Sequence, residues 1–175
     1  IDSYYKFKVG TTLTYESLRD EKVRKTVMEV VEERDGQRKL LSREFKEGES
    51  ESESKEETLF WHRDEMYLIW SDLRDKQERE LVLLVKADAK EGETWTGTHV
   101  ERKHKVTVTH EGFHEVTVPA GTYKKVLRLV LVTQEGENKS ELRIYLAPDV
   151  GMIRMEGSRP GSGSVKMELT SFKPA

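Results

Sequence analysis

E-V-T-V-P-A-G-T-Y-K-K-V-L-R-L-V-L-V, residues 115–132, reads as one β-strand, a turn and a second, strongly apolar strand. Val116 and Val118 alternate with Glu115 and Thr117, the period of a half-buried strand. Pro119 has no N–H to give a ladder and Gly121 tolerates positive φ, so the chain turns over residues 119–122. Leu127, Leu129 and Leu131 then fall on one face, Val126, Val130 and Val132 on the other. A strand apolar on both faces is expected to be buried on both, which places this pair at the centre of a sheet.

Outward from that hairpin the same grammar repeats. Turn signals at Gly112, Gly121, Gly136 and Gly151 separate segments of strand length, the spacing of an antiparallel meander. Towards the C-terminus, strands are expected over 141–146, 152–156 and 165–172, with residues 157–164 (G-S-R-P-G-S-G-S) as a flexible connector between the last two. Towards the N-terminus, residues 21–33 place Val23, Val27, Val30 and Val31 at helical spacing. Four valines, a threonine and the following Asp35-Gly36 favour a strand, with a return strand over 38–46. Residues 59–70 read as a tight aromatic hairpin turning at 63–65. Residues 72–80 are polar enough for a loop or a turn or two of helix, and 81–85 form a short buried strand. A long strand is expected over 98–110.

Two short passages echo each other. Residues 9–15, V-G-T-T-L-T-Y, and residues 91–97, E-G-E-T-W-T-G, share the order Gly, any residue, Thr, large apolar residue, Thr. Each opens a new strand, which hints at two halves built alike. The expected architecture is therefore all-β with at most a short helix: one domain over residues 1–175, a meander curling into a half-barrel or open barrel.

Composition narrows function mainly by exclusion. The 175 residues carry 30 basic and 33 acidic side chains and a net charge of −3, so no charge excess favours nucleic acid or an anionic membrane. Cysteine is absent, which removes disulfides, thiol nucleophiles and thiolate metal sites together. No apolar run approaches the roughly 20 residues of a membrane-spanning helix. The chain begins at Ile1, which suits a leader or lipid-bearing segment removed ahead of it. The run over 47–57 alternates Glu and Ser and reads as a solvated edge, because a calcium loop needs oxygens converging around a turn.

His110-Glu111-Gly112-Phe113-His114 matches H-E-x-x-H, the zinc-peptidase pattern that needs both imidazoles one helical turn apart with Glu as base. Its flanks, T-V-T-V-T and E-V-T-V-P, are β-like, so the motif is expected at a strand–turn–strand with the two histidines on opposite arms. A looser metal site from His104, His110 and His114 is the weak alternative; no catalytic residue and no cofactor is assigned. The stronger expectation concerns shape. A curled sheet that does not fill its interior leaves an apolar cavity for a lipid-like ligand. Leu59, Trp61, Tyr67, Ile69, Trp70, Trp95, Leu127, Leu129 and Leu131 are its candidate lining.

V-T-V-P-A-G-T-Y-K-K-V at 116–126, Y-L-A-P-D-V-G-M-I-R at 145–154 and E-L-T-S-F near the C-terminus resemble the signatures of TapB-like bacterial envelope proteins. The opening K-V-G-T-T-L-T-Y and the later E-G-E-T-W-T-G resemble that family's G-x-x-W-T elements. Leu13 stands where Trp is usual, Tyr123 for Phe and Asp149 for Gly. The resemblance implies an all-β domain outside the cytoplasm, akin to LolA-like lipoprotein carriers, whose partner is an apolar small molecule or an envelope protein. It supplies no catalytic residue. Against this binding domain stand a zinc-dependent hydrolase using H-E-G-F-H and a purely structural or adhesive module.

Overall fold

A computed structural model of the chain is almost entirely β. The structure describes residues 2–4, 7–19, 21–34, 37–46, 55–63, 67–75, 78–97, 105–159 and 163–175; over 57–63, 67–75 and 78–83 it describes the strand pairing. Among the described residues a three-residue 3-10 turn, Asp2–Tyr4, precedes twelve strands. In the first half these are β1 (Thr12–Arg19), β2 (Lys22–Arg34), β3 (Gln37–Lys46), β4 (Lys55–Arg63), β5 (Tyr67–Asp75) and β6 (Glu78–Lys86). The second half holds β7 (Thr94–Thr96), β8 (Lys105–Val118), β9 (Gly121–Glu135), β10 (Asn138–Ala147), β11 (Gly151–Arg159) and β12 (Gly163–Lys173).

All twelve belong to one antiparallel sheet in the order β6-β5-β4-β3-β2-β1-β12-β11-β10-β9-β8-β7. Each half is thus a six-stranded meander, and the two are joined where β1 pairs with β12, from Thr12 opposite Lys173 to Arg19 opposite Val165. Among the described residues β6 and β7 pair only with their inner neighbours, so the sheet stays open instead of closing into a barrel.

The two echoing passages open the two halves with the same hydrogen bonds. Gly10 N donates to Val30 O at 2.8 Å and Val30 N to Thr11 O at 3.0 Å; Gly92 N donates to His110 O at 2.8 Å and His110 N to Glu93 O at 2.9 Å. Thr11 N donates to Lys8 O just as Glu93 N donates to Lys90 O. The large apolar residue of each passage, Leu13 or Trp95, is buried.

Several expectations need correction. Residues 72–80 are neither loop nor helix where described: β5 continues to Asp75 and β6 starts at Glu78. Paired strands tolerate polar residues on a solvated face, so polarity alone did not end them. The connector expected over 157–164 is largely a hairpin, with Gly157 opposite Val165, Ser158 opposite Ser164 and Arg159 opposite Gly163. Backbone pairing overrode a composition that favours a loose chain. β9 is buried on both faces around residues 126–131, but the β8–β9 hairpin lies near one edge; the centre of the sheet is the β1–β12 pair. The expected turn at Gly112 is a bulge within one continuous strand. The turns foreseen at 35–36 and 63–65, most of the acidic run at 47–57 and the start of the strand expected over 98–110 lie wholly or partly outside the described residues.

The sheet bends until strands far apart in its order share a core. One cluster joins Val30 of β2 and Leu40 of β3 to Leu84 and Val85 of β6, Trp95 of β7, Val106 and Val108 of β8, Leu127, Leu129 and Leu131 of β9, and Ile144 and Leu146 of β10. Complete burial of one such side chain contributes about 1.5–3 kcal/mol. A second cluster gathers Leu13, Tyr15, Val116, Val118, Val126, Tyr145, Ala147, Ile153, Met167 and Leu169 where the tip of the β8–β9 hairpin reaches β12, Ala120 N donating to Leu169 O at 3.0 Å.

Candidate functional site

The inner face of the bent sheet is built by register. Leu127, Leu129 and Leu131 stand opposite Leu146, Ile144 and Leu142 of β10, while Leu131 and Leu129 also stand opposite Val108 and His110 of β8. Trp95 lies opposite Val108. Of the candidate lining, Trp95, Leu127, Leu129 and Leu131 are therefore brought into one cluster, at 8%, 2%, 0% and 7% exposure. Leu59, Trp61, Tyr67, Ile69 and Trp70 occupy β4 and β5: Leu59 is opposite the buried Leu40, Trp61 opposite Trp70, and Ile69 opposite Leu83. Their side chains lie outside what the structure describes.

Two aromatic residues of this cluster stand outside the candidate lining read from the sequence. Tyr4 and Phe7, from the segment ahead of β1, are buried at 7% and 4% among the inner-face residues. The alternation of Tyr5, Phe7 and Val9 is a signal for Phe7 alone, since Tyr4 is out of phase with it; Val9 is half exposed, and neither Tyr4 nor Phe7 lies in a strand. Burial raises the pKa of the Tyr4 phenol above its ordinary value.

The H-E-G-F-H stretch sits wholly within β8, so its histidines do not occupy opposite arms of a hairpin. Neither do they share a helical face. His110 is buried, its Nδ1 accepting the Gly112 N–H at 3.0 Å, which puts the proton of the neutral ring on Nε2. Its ring meets Phe113 edge-on, with centroids 5.2 Å apart. His114 Nε2 donates to the Glu111 carbonyl at 2.9 Å, and the Glu111 carboxylate pairs with Arg128 Nε at 2.7 Å. The two rings therefore satisfy backbone groups of the bulge, and the carboxylate that would serve as base is held by a guanidinium. The helical geometry of the peptidase reading is not formed. No group of three potential metal ligands occurs among the described residues, and His104 lies outside them.

Elsewhere the polar contacts bind strands to one another. Arg154 stacks 5.5 Å from the Tyr145 ring centre, pairs with Glu168 at 2.8 Å and donates to Thr117 O at 2.6 Å. Burial, then the hydrogen bond to Glu156, raises the Tyr145 pKa. At the seam between β6 and β7 the Lys86 ammonium holds Glu93, lowering the pKa of that carboxyl.

No family profile matches the chain, and no curated protein matches it in sequence. Solved structures do match over the whole length. One is a "putative lipoprotein" from Parabacteroides distasonis, with a TM-score of 0.65 and 9% identity over 98% of this chain and 99% of that one. Another is a "putative exported protein with YmcC-like fold" from Bacteroides fragilis, with a TM-score of 0.61 and 12% identity over 97% and 98% of the two chains. At these identities the likeness is one of fold, and it extends to the entire open sheet.

Proposed function

We propose that the chain is a non-enzymatic, extracytoplasmic β-domain of the TapB-like kind that holds a lipid-like apolar ligand against the inner face of its bent sheet. The observation that carries this reading is the gathering of Trp95, Leu127, Leu129 and Leu131 on the inside of a sheet that remains open between β6 and β7. Apolar, concave surface with few polar groups is what an acyl or isoprenoid chain recognises. The motifs shared with envelope proteins support a site outside the cytoplasm. So does the fold held in common with proteins whose names describe a lipoprotein and an exported protein. A partner protein of the envelope is the natural donor or acceptor for such cargo, by analogy with LolA-like carriers.

The test is native mass spectrometry of protein prepared without detergent, followed by titration with palmitate. A co-purifying lipid or stoichiometric palmitate uptake supports the reading. A second reading, a structural module with a filled interior, is favoured by the near-complete burial of the described inner-face side chains, and absence of both signals would establish it in place of the first.

A further inference from the structure

We infer that the inner face takes an acyl chain with an anionic oxygen head group, and that Arg24 holds that head. This rests on the reading of the inner face as a ligand site and names the end by which the ligand is recognised. In an antiparallel ladder, residues directly opposite one another share a face. Arg24 of β2 stands opposite Ser17 of β1, Ser17 opposite Met167 of β12, and Met167 opposite Met155 of β11. Met155 in turn stands opposite Ile144, and Ile144 opposite Leu129. One row thus joins a guanidinium to the leucines of the inner face, over roughly 24 Å at about 4.8 Å per strand. Leu129, Ile144 and Met167 are buried, whereas Met155, Ser17 and Arg24 are only partly covered, so the row opens to solvent towards β2.

The chemistry of the face changes in step with that exposure. Four of the five methionines, Met28, Met152, Met155 and Met167, belong to or pack against the core clusters, and the first three touch both. Their flexible thioethers adapt to a chain laid over them. Beyond them the register gathers cations. Arg19, on the same face of β1 as Ser17, stands opposite Lys22, which shares its face of β2 with Arg24. Against these three stands the carboxylate of Glu44, opposite Thr26, which bonds Arg24 Nη1 at 2.5 Å. The guanidinium has capacity left. Arg24 Nε is enclosed and has no hydrogen-bond acceptor among the described residues. An enclosed donor without an acceptor is costly, and a carboxylate or phosphate oxygen fits the planar fork that would supply one. An anion arriving there also meets an excess of positive charge.

Isothermal titration calorimetry without detergent, at about pH 8 where a carboxyl head is ionised, tests this with decanoate, decyl phosphate and 1-decanol. The wild type is expected to bind decanoate or decyl phosphate at least about tenfold more tightly than decanol. Arg24→Met is expected to lose that preference while binding decanol within about twofold of the wild type. Because this change strands Glu44, the double change Arg24→Met with Glu44→Gln removes both charges and is expected to lose the preference in the same way. Tighter binding of decanoate than of decyl phosphate identifies a fatty acid, and the reverse a lipid phosphate. Equal binding of all three by the wild type, or a preference that persists in both variants, overturns the role of Arg24 and leaves the apolar site standing. If none of the three binds the wild type, the apolar-ligand reading falls as well.

Discussion

His110 and His114 are four residues apart, and each satisfies a backbone group that the other cannot reach. The bulge at Glu111-Gly112 turns one N–H and one carbonyl away from the ladder, and the flanking imidazoles take them up, Nδ1 of His110 as acceptor and Nε2 of His114 as donor. A buried N–H without a partner costs about 1–3 kcal/mol, so capping of this kind is what makes the bulge tolerable. Gly112 makes it possible, at φ +84° with the Glu91 carboxylate 2.8 Å from where a Cβ would stand. Gly112→Ala is expected to lower stability by about 1–3 kcal/mol, from left-handed strain and displacement of Glu91. Urea unfolding followed by tryptophan fluorescence would register it as a lower midpoint with unchanged slope; an unchanged midpoint would show that the backbone relaxes freely. The sequence displayed the histidines and the glycine but not their pairing, because H-E-x-x-H is the same string on a helix and on a strand.

Among the elements, the β8–β9 hairpin and β1 explain why residues far apart in the chain depend on each other. The hairpin's tip crosses to β12, and Arg154 fixes it there through Thr117. Beneath it the Tyr15 hydroxyl of β1 donates to Met152 O of β11 at 2.8 Å. Tyr15 is fully enclosed; burial first, and then the neighbouring Tyr123, push its pKa well above the usual phenol value. The raised pKa in the folded state means the fold favours the neutral phenol. Its contribution is therefore complete below the unfolded value of about 10 and is lost as pH rises above it. Stability is expected to hold to about pH 10 and then fall, with Tyr15 ionising only as the protein unfolds. A 295 nm titration run beside near-ultraviolet circular dichroism checks this, and ionisation of every tyrosine before any loss of the dichroism signal would refute it. Leu13 and Tyr15 keep one parity along β1, and both are buried. Nothing local announced Met152 as a partner 137 residues away.

At the scale of the whole molecule, the twelve strands are neighbours in chain order all the way round, with β1 joined to β12 and a single break between β6 and β7. The short echo around Gly10 and Gly92 marks the first strand of each half, and the repeated hydrogen bonds give that echo a structural meaning. A circular permutant that links the present termini through a flexible linker and opens the chain within residues 87–93 interrupts no strand. It is expected to fold cooperatively to the same sheet, as judged by far-ultraviolet circular dichroism and thermal melting. A permutant opened within β9 serves as the contrast and should not fold. Equal failure of both would show that the turn between β6 and β7 holds the two halves together. The fold class and nearly every described strand were legible because a period of two is written residue by residue. The identity of the site was less so, since an inner face is made by strands that only bending brings together.

By itself, then, the sequence determined an all-β meander, the two-faced burial of residues 126–131, the exclusion of thiol chemistry and the echo that opens each half. These follow from alternation, turn residues and composition, which act over a few neighbouring positions. Only the tertiary structure decided that the β1–β12 pair forms the centre, that H-E-G-F-H caps a bulge, and that Tyr4 and Phe7 share a core with Leu127, Leu129 and Leu131. Each of these depends on contacts between segments distant in the chain. Side-chain alternation says which face a residue takes, while the bending of the sheet determines what that face meets.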